Sequence, residues 1–368
     1  MNSNNRYYLG LMSGTSMDGI DAAIIDASTN TFIAGLTYPY QDAVKEALYT
    51  VMEQQSVSLK NYSQLNTLLG REFAHAALEL LNQSGLSSSA IAAIGSHGQT
   101  LCHDSTAEIP YTLQSGCAHT IAELTQIPVV ADFRTRDVVV GGQGAPFAPL
   151  YHQALFQGAA FPLAVVNIGG IANLSYLSNS NAVHGYDLGP GNCLMDAWVK
   201  KHRNTAYDEK GAFASSGLVI EPLLDRLLHD PFFSRSYPKS LGKEYFSLNW
   251  LMPHLKGEEA SQDVQATLLM LTAKSIVQGI QCEPVAPKKV FVCGGGVHNL
   301  ALMETMNRLM PEIECLSTQA ININPDFIEA MMFAWLAMKT LNGEAQDLSQ
   351  ITGARQSVIL GAIYPVKS

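Results

Sequence analysis

Residues 7–26, YYLGLMSGTSMDGIDAAIID, set two β-rich apolar runs on either side of SGTSMDG, a stretch crowded with turn-forming residues. The pattern predicts a β-hairpin with a polar, glycine-bearing tip. Residues 162–177, PLAVVNIGGIANLSYL, repeat it: an apolar run, a tip of Asn167, Ile168, Gly169 and Gly170, and a second apolar run. The two hairpins lie roughly 150 residues apart, a period that reads as a duplicated domain and not as a solenoid repeat. Each is followed by apolar residues at three- and four-residue spacing, at 44–52 and 73–81 after the first and at 262–280 after the second. Short strand-like runs fall at 90–95, 128–132 and 290–293. Strands alternating with helices predict an α/β protein with a partly parallel sheet in each half. Gly141, Gly142, Gly144 and Pro146 interrupt the periodicity and place the boundary near 132–146, giving lobes of residues 1–133 and 134–368. The strand-like tail at 357–365 could return to either lobe. Residues 204–253, broken by Gly211, Gly217, Pro231, Pro238 and Gly242, give no specific reading.

Composition removes several classes of function. With 368 residues, 47% of them apolar and 15% charged, the chain has enough material for two cores and too little charge for a disordered polyampholyte. The 22 basic against 32 acidic residues leave a net charge of -10, and no basic stripe follows a phosphate backbone, so nucleic acid is not an expected partner. The basic run Lys200, Lys201, His202, Arg203 reads as a solvated helix end. Six cysteines contain no CxxC pair, which signals neither a zinc site nor a disulfide framework and suits a reducing compartment. No secretory signal precedes the first apolar segment, and apolar runs such as 330–338 fall short of the roughly 20 residues that span a bilayer. A cytoplasmic protein without a membrane partner is expected.

The common nucleotide and hydrolase signatures, GxxxxGK[ST], GxGxxG after the first strand, HExxH and GxSxG, are missing. Three glycine-rich tips stand in their place: 13–19, Gly169 with Gly170, and Gly294, Gly295 and Gly296 directly after KKVFVC. Each alone reads as a tight turn. Two on equivalent hairpins with a third beside them favour a phosphate clamp, because glycine lets backbone N–H groups approach an anion. In the first tip Thr15, Ser16 and Asp18 offer oxygens that suit a triphosphate and Mg²⁺ held through water; Asp18 reads equally as an Asx-turn residue. Asp187 precedes a rigid Gly-Pro-Gly turn, where a carboxylate is either a turn former or a base aimed at a hydroxyl or water. In GSHGQT, 95–100, His97 is a metal ligand or a hydrogen-bonded structural residue, as is His103 just beyond. Arg134 can grip a carboxylate bidentately or pair within DFRTRD. Glu329, on a strongly apolar helix that Pro325 helps to start, is a first-turn dipole complement or a site residue.

Together GLMSGTSMDGID at 10–21, GSHGQT at 95–100, ADFR at 131–134, GGQGAPFAP at 141–149, NIGGIAN at 167–173, DLGPGN at 187–192, CGGGVHN at 293–299 and IEAMMFAWLA at 328–337 resemble the anhydro-N-acetylmuramic acid kinases of bacterial cell-wall recycling. The resemblance spans nearly the whole chain. It implies two duplicated ribonuclease-H-like lobes of the actin, hexokinase and Hsp70-like superfamily with an ATP cleft between them, a cytoplasmic homodimer, and ATP with Mg²⁺ as cofactors. It implies a reaction in which water opens 1,6-anhydro-N-acetylmuramic acid while O6 takes the γ-phosphoryl group, giving N-acetylmuramic acid 6-phosphate and ADP. Residue by residue, Asp187 matches the catalytic base, and Gly14, Thr15, Ser16, Met17, Asp18, Gly19, Ile20 and Asp21 match the ATP-phosphate loop. Thr100, Arg134 and Glu329 match the sugar pocket, where Arg134 would suit the lactyl carboxylate. Many ATPases of the wider superfamily carry Asp at the start of both tips, whereas Ser13 and Asn167 stand here, which leaves Asp18 as the carboxylate for the metal. Two other readings compete: a sugar or carboxylate kinase of the same superfamily with no water in its product, and a nucleotide-driven binding or filament protein.

Overall fold

The computed structural model describes residues 6–14, 17, 19–53, 56–179, 182–235, 239–241 and 245–366. Along the chain its strands are β1 (Tyr7–Ser13), β2 (Gly19–Asp26), β3 (Thr31–Pro39), β4 (Ile91–Asp104), β5 (Tyr111–Ser115), β6 (Val129–Ala131), β7 (Leu163–Ile168), β8 (Ile171–Asn179), β9 (Ala182–Pro190), β10 (Lys289–Cys293), β11 (Glu314–Ser317) and β12 (Ala362–Tyr364). They form two sheets, in the orders β12-β6-β4-β1-β2-β3 and β11-β10-β7-β8-β9. In the first, β1, β2 and β3 form an antiparallel meander, and β4 and then β6 join parallel on the far side of β1. In the second, β7, β8 and β9 repeat the meander and β10 and β11 repeat the parallel pair. Matching order and direction establish the duplication and the ribonuclease-H-like plan of each sheet.

The chain divides into one unit of Met1–Tyr151 with Phe327–Ser368 and a second of His152–Asp326. The expected lobes were 1–133 and 134–368. Two sets of contacts place the division elsewhere. Helix Phe133–Val139 stays with the first sheet, and buried Asp137 accepts hydrogen bonds from the Gly144 N–H at 2.7 Å and from the Thr352 hydroxyl at 2.8 Å, so 133–144 and the C-terminal segment hold one another. The tail returns to the first unit, where β12 pairs with β6.

In the first unit Leu9, Leu11, Ile91 and Ile94 pack against helices Leu59–Ser84 and Ala118–Thr125. Strand alternation turns Gly10 and Gly95 to the other face, against helix Ile328–Leu341. A Cβ at Gly10 would overlap the Ala330 carbonyl oxygen, and one at Gly95 that of Phe333. Both glycines are therefore where they are so that a helix can approach the sheet closely. The helix is apolar almost all round, as befits a buried one. In the second unit helix Ser261–Gln281 packs on β8 and β9 through Leu268, Leu271, Ile276 and Ile280.

Candidate active site

In the second unit Asp187 lies on β9 just before the Gly-Pro-Gly turn. Helix Ser261–Gln281 holds that turn: the Thr272 hydroxyl donates to the Gly191 carbonyl at 2.9 Å, and the left-handed Gly189 (φ 152°) leaves a Cβ no room beside Phe233 and Ser275. Asp187 is also tied across the chain, its N–H donating to the Lys239 carbonyl at 3.1 Å while Oδ2 accepts the Leu241 N–H at 2.7 Å. The side chain is half-buried, and desolvation pushes its carboxyl up to about 6 against the pull of the Leu241 N–H and the Lys239 ammonium. A carboxylate so poised is ionised at neutral pH yet holds a proton better than an exposed one, which suits a general base.

Three backbone segments meet beside it. The N–H groups of Gly191 and Cys193 donate to the Gly170 carbonyl, that of Asn192 to the Gly169 carbonyl at 2.8 Å, and the Asn192 amide to the Ile168 carbonyl at 3.3 Å. Gly294 and Gly296 close the group from the third segment, since a Cβ on either would strike the Asn167 amide or the Ile168 side chain. Gly169, Gly170 and Gly295 differ. A Cβ there would meet nothing nearer than 3.7, 3.9 and 3.9 Å respectively, and none has a positive φ. The fold has room for a side chain at these three positions, so their lack of one leaves space for something else, as a phosphate-bearing ligand requires.

In the first unit the β1–β2 hairpin stands as expected, although Thr15, Ser16 and Asp18 lie outside the described residues. Ser13 anchors it: its hydroxyl lies 2.7 Å from Gln99 Oε1 and 3.0 Å from the Gly19 carbonyl, and accepts the Tyr40 hydroxyl at 2.9 Å. Gln99 reaches the Gly14 carbonyl at 3.3 Å. This network ties the base of the hairpin to β4 through buried polar side chains. The Met17 and Ile20 side chains are in the core, which leaves them only their backbone for a ligand. Asp21 accepts from the Thr37 hydroxyl at 2.6 Å. Among the described residues no three His, Cys, Asp or Glu side chains cluster as metal ligands.

The unit also gathers Arg134 and Glu329. Arg134 Nε donates to His97 Nε2 at 2.9 Å, and its guanidinium and the Glu329 carboxylate feel each other's charge. The Glu329 side chain reaches solvent but is crowded by protein; desolvation first, then the Asp21 carboxylate, raise its carboxyl against the pull of Arg134. Buried His97 is held well below its ordinary range by desolvation and by Arg134, and is neutral. His103, also lowered, faces the same arginine, with Gly144 fitting between its ring and the Arg134 side chain. Thr100 is fixed by the Gln114 amide, which donates to its hydroxyl at 3.3 Å. Sequence reasoning missed β5, which carries Gln114, and the Leu241 N–H, a backbone group with no side-chain signature. Its strand estimate of 90–95 stopped short of the whole of β4, which runs on to Asp104 because it pairs with β5.

The family model for anhydro-N-acetylmuramic acid kinase matches residues 6–366. The chain is 54% identical over 359 residues to an anhydro-N-acetylmuramic acid kinase of Legionella pneumophila (strain Lens), covering 98% of each chain. It is 43% identical over 361 residues to one of Nitrosomonas europaea, covering 98% of this chain and 99% of that one. A third, of Aliivibrio fischeri, is 43% identical over 362 residues, covering 97% and 99%. Matched from end to end, and carrying a desolvated aspartate beside an open glycine cradle, the chain belongs to the anhydro-N-acetylmuramic acid kinase family.

Proposed function

We propose that this enzyme transfers the γ-phosphoryl group of ATP to O6 of 1,6-anhydro-N-acetylmuramic acid while water opens the anhydro bridge, releasing N-acetylmuramic acid 6-phosphate and ADP in the recycling of peptidoglycan. The observation that carries the chemistry is Asp187, desolvated, oriented by a backbone N–H and raised to about 6. Water attacks the anomeric carbon and gives one proton to Asp187; the C1–O6 bond breaks; O6 takes the phosphoryl group as ADP leaves; and the Asp187 proton passes to solvent. Gly169, Gly170, Gly294, Gly295 and Gly296, with the hairpin residues Gly14–Asp21, receive the nucleotide. Thr100, Arg134 and Glu329 bind the sugar, Arg134 through the lactyl carboxylate that muramic acid carries and glucosamine lacks. Mg²⁺ would be held by Asp18, whose hard carboxylate oxygens suit it, and would neutralise charge on the phosphates during transfer. Six free cysteines accord with a reducing cytoplasm, and a homodimer follows from the resemblance. Among the described residues no helix is long and apolar enough to cross a membrane.

Mass spectrometry of the product formed from ATP and the anhydro sugar in ¹⁸O water tests the reaction. A phosphorylated sugar with ¹⁸O on the anomeric carbon is expected. Consumption of ATP without a sugar product would overturn it.

Two smaller effects follow. Gly295→Ala would bring its methyl no nearer than 3.9 Å, to the Asn192 amide, so the melting temperature is expected to hold or rise slightly while KM for ATP rises about tenfold or more, the nucleotide having lost its approach. An unchanged KM would remove Gly295 from the nucleotide cradle. Lys239→Met keeps apolar contact with Phe232 and Tyr186 but removes a cation that favours the Asp187 carboxylate. The acidic limb of kcat/KM, set by Asp187 near 6, should move to higher pH. A limb that stays or falls would show that another group sets it.

A further inference from the structure

Arg134 makes one hydrogen bond among the described residues, from Nε to the Nε2 of His97 at 2.9 Å. A guanidinium only donates, so His97 Nε2 must be bare and the ring proton must sit on Nδ1. That proton has its own acceptor, the Gly98 carbonyl at 2.8 Å. His97 is thus locked into one tautomer by a partner on each nitrogen. Its ring cannot swing, because it packs on Phe333 with centroids 4.7 Å apart, and Phe333 is held on Phe133 at 5.4 Å. With Nε pinned from behind, the two terminal nitrogens of Arg134 remain for a planar anion, and bidentate recognition of a carboxylate depends on the plane in which that fork is presented.

We infer that His97 is a positioning residue for substrate selection: as a neutral acceptor it fixes the plane of the Arg134 guanidinium, and so sets how strongly the enzyme prefers an anhydro sugar bearing a lactyl carboxylate over one without it. The inference rests on the proposed role of Arg134. Without the His97 acceptor the guanidinium keeps its charge but loses its orientation, and the carboxylate-bearing sugar suffers while a neutral one does not.

The test compares kcat/KM for 1,6-anhydro-N-acetylmuramic acid and 1,6-anhydro-N-acetylglucosamine in wild type, His97→Asn, His97→Gln and Arg134→Met. Asparagine reproduces the Nδ1 end of histidine and keeps the Gly98 contact; glutamine reproduces the Nε2 end and keeps an acceptor for Arg134. His97→Asn should reduce the preference for the muramic sugar about tenfold or more through its KM, with KM for ATP unchanged, and His97→Gln should retain the preference. The ratio of two sugars on one preparation cancels any loss of folded protein. If Arg134→Met affects both sugars equally, the role of Arg134 fails and the inference with it. If Arg134→Met is selective and His97→Asn is not, the inference alone fails. Histidine ¹⁵N NMR on the wild-type protein supplies a check that needs no variant to fold: a protonated Nδ1 and bare Nε2 are expected, and the opposite tautomer would overturn the inference.

Discussion

Asp187→Asn is expected to lower kcat by roughly 10²- to 10⁴-fold, the range that a positioned general base contributes, while leaving KM for ATP nearly unchanged. Asparagine is close in shape and can still accept the Leu241 N–H, but it cannot take a proton from water. The same substitution should not weaken the fold. In the folded protein the carboxyl is raised from an ordinary 3.8 to about 6, so between those values the folded chain binds more protons than the unfolded one and stability falls as pH rises through that window. Above pH 6 the ionised Asp187 is a desolvated charge that the fold tolerates and that the proposed base must carry. Activity and this contribution to stability therefore move in opposite directions between about pH 4 and 6. Thermal melts should show Asp187→Asn gaining on wild type as pH rises across the window. A variant that melts well below wild type at neutral pH would make Asp187 a structural carboxylate and its loss of activity uninformative.

Legibility of the site in the sequence followed how local each signal is. The two hairpins were readable because apolar runs and a glycine-bearing turn fit within a score of residues, and the repeat then supplied the duplication. Asp187 was readable as a candidate because Gly-Pro-Gly follows it. Its orientation was not: Leu241 and Lys239 act on it from 204–253, a stretch so interrupted by glycine and proline that no period survives, and Leu241 acts through an N–H that almost any residue provides. GSHGQT looked like polar residues beyond a strand end because His97 and Gln99 are hydrophilic. They are buried in β4 at 3% and 0% exposure, their polar atoms satisfied by Arg134, Gly98, Ser13 and Gly14. Burial of satisfied polar groups leaves no apolar trace to read. The place of helix Ile328–Leu341 was hidden for a further reason: its partners, Gly10 and Gly95, are far off in the chain and distinguished only by what they lack.

Those glycines carry the second large effect. Gly95→Ala is expected to destabilise the first unit by about 3 kcal/mol or more, at the upper end for overpacking, because the obstacle is backbone and not a side chain that can turn aside. The new methyl would overlap the Phe333 carbonyl oxygen, approach its carbon to 2.6 Å and lie 3.1 Å from the Ala337 Cβ. Phe333 cannot yield without moving helix Ile328–Leu341, whose residues are buried on nearly every side. The same shift would disturb the site, since that helix carries Glu329 in its first turn and Phe333 against the His97 ring. The expected signature is a lowered melting temperature together with a raised KM for the sugar and little change in KM for ATP. Gly10→Ala, which drives a methyl into the Ala330 carbonyl one turn earlier, should behave alike. Gly295→Ala should do the reverse, sparing the fold and weakening ATP binding. The three are the same letter in the sequence, and what separates them is what a Cβ would meet: a helix backbone in hard overlap at 10 and 95, only the Asn192 amide at an ordinary 3.9 Å at 295. Calorimetry with sugar and ATP titrations on all three decides the matter. A Gly95→Ala protein as stable as wild type would mean that the helix does not lie against β4 at this distance, and the placement of Glu329 beside Arg134 would lose its support.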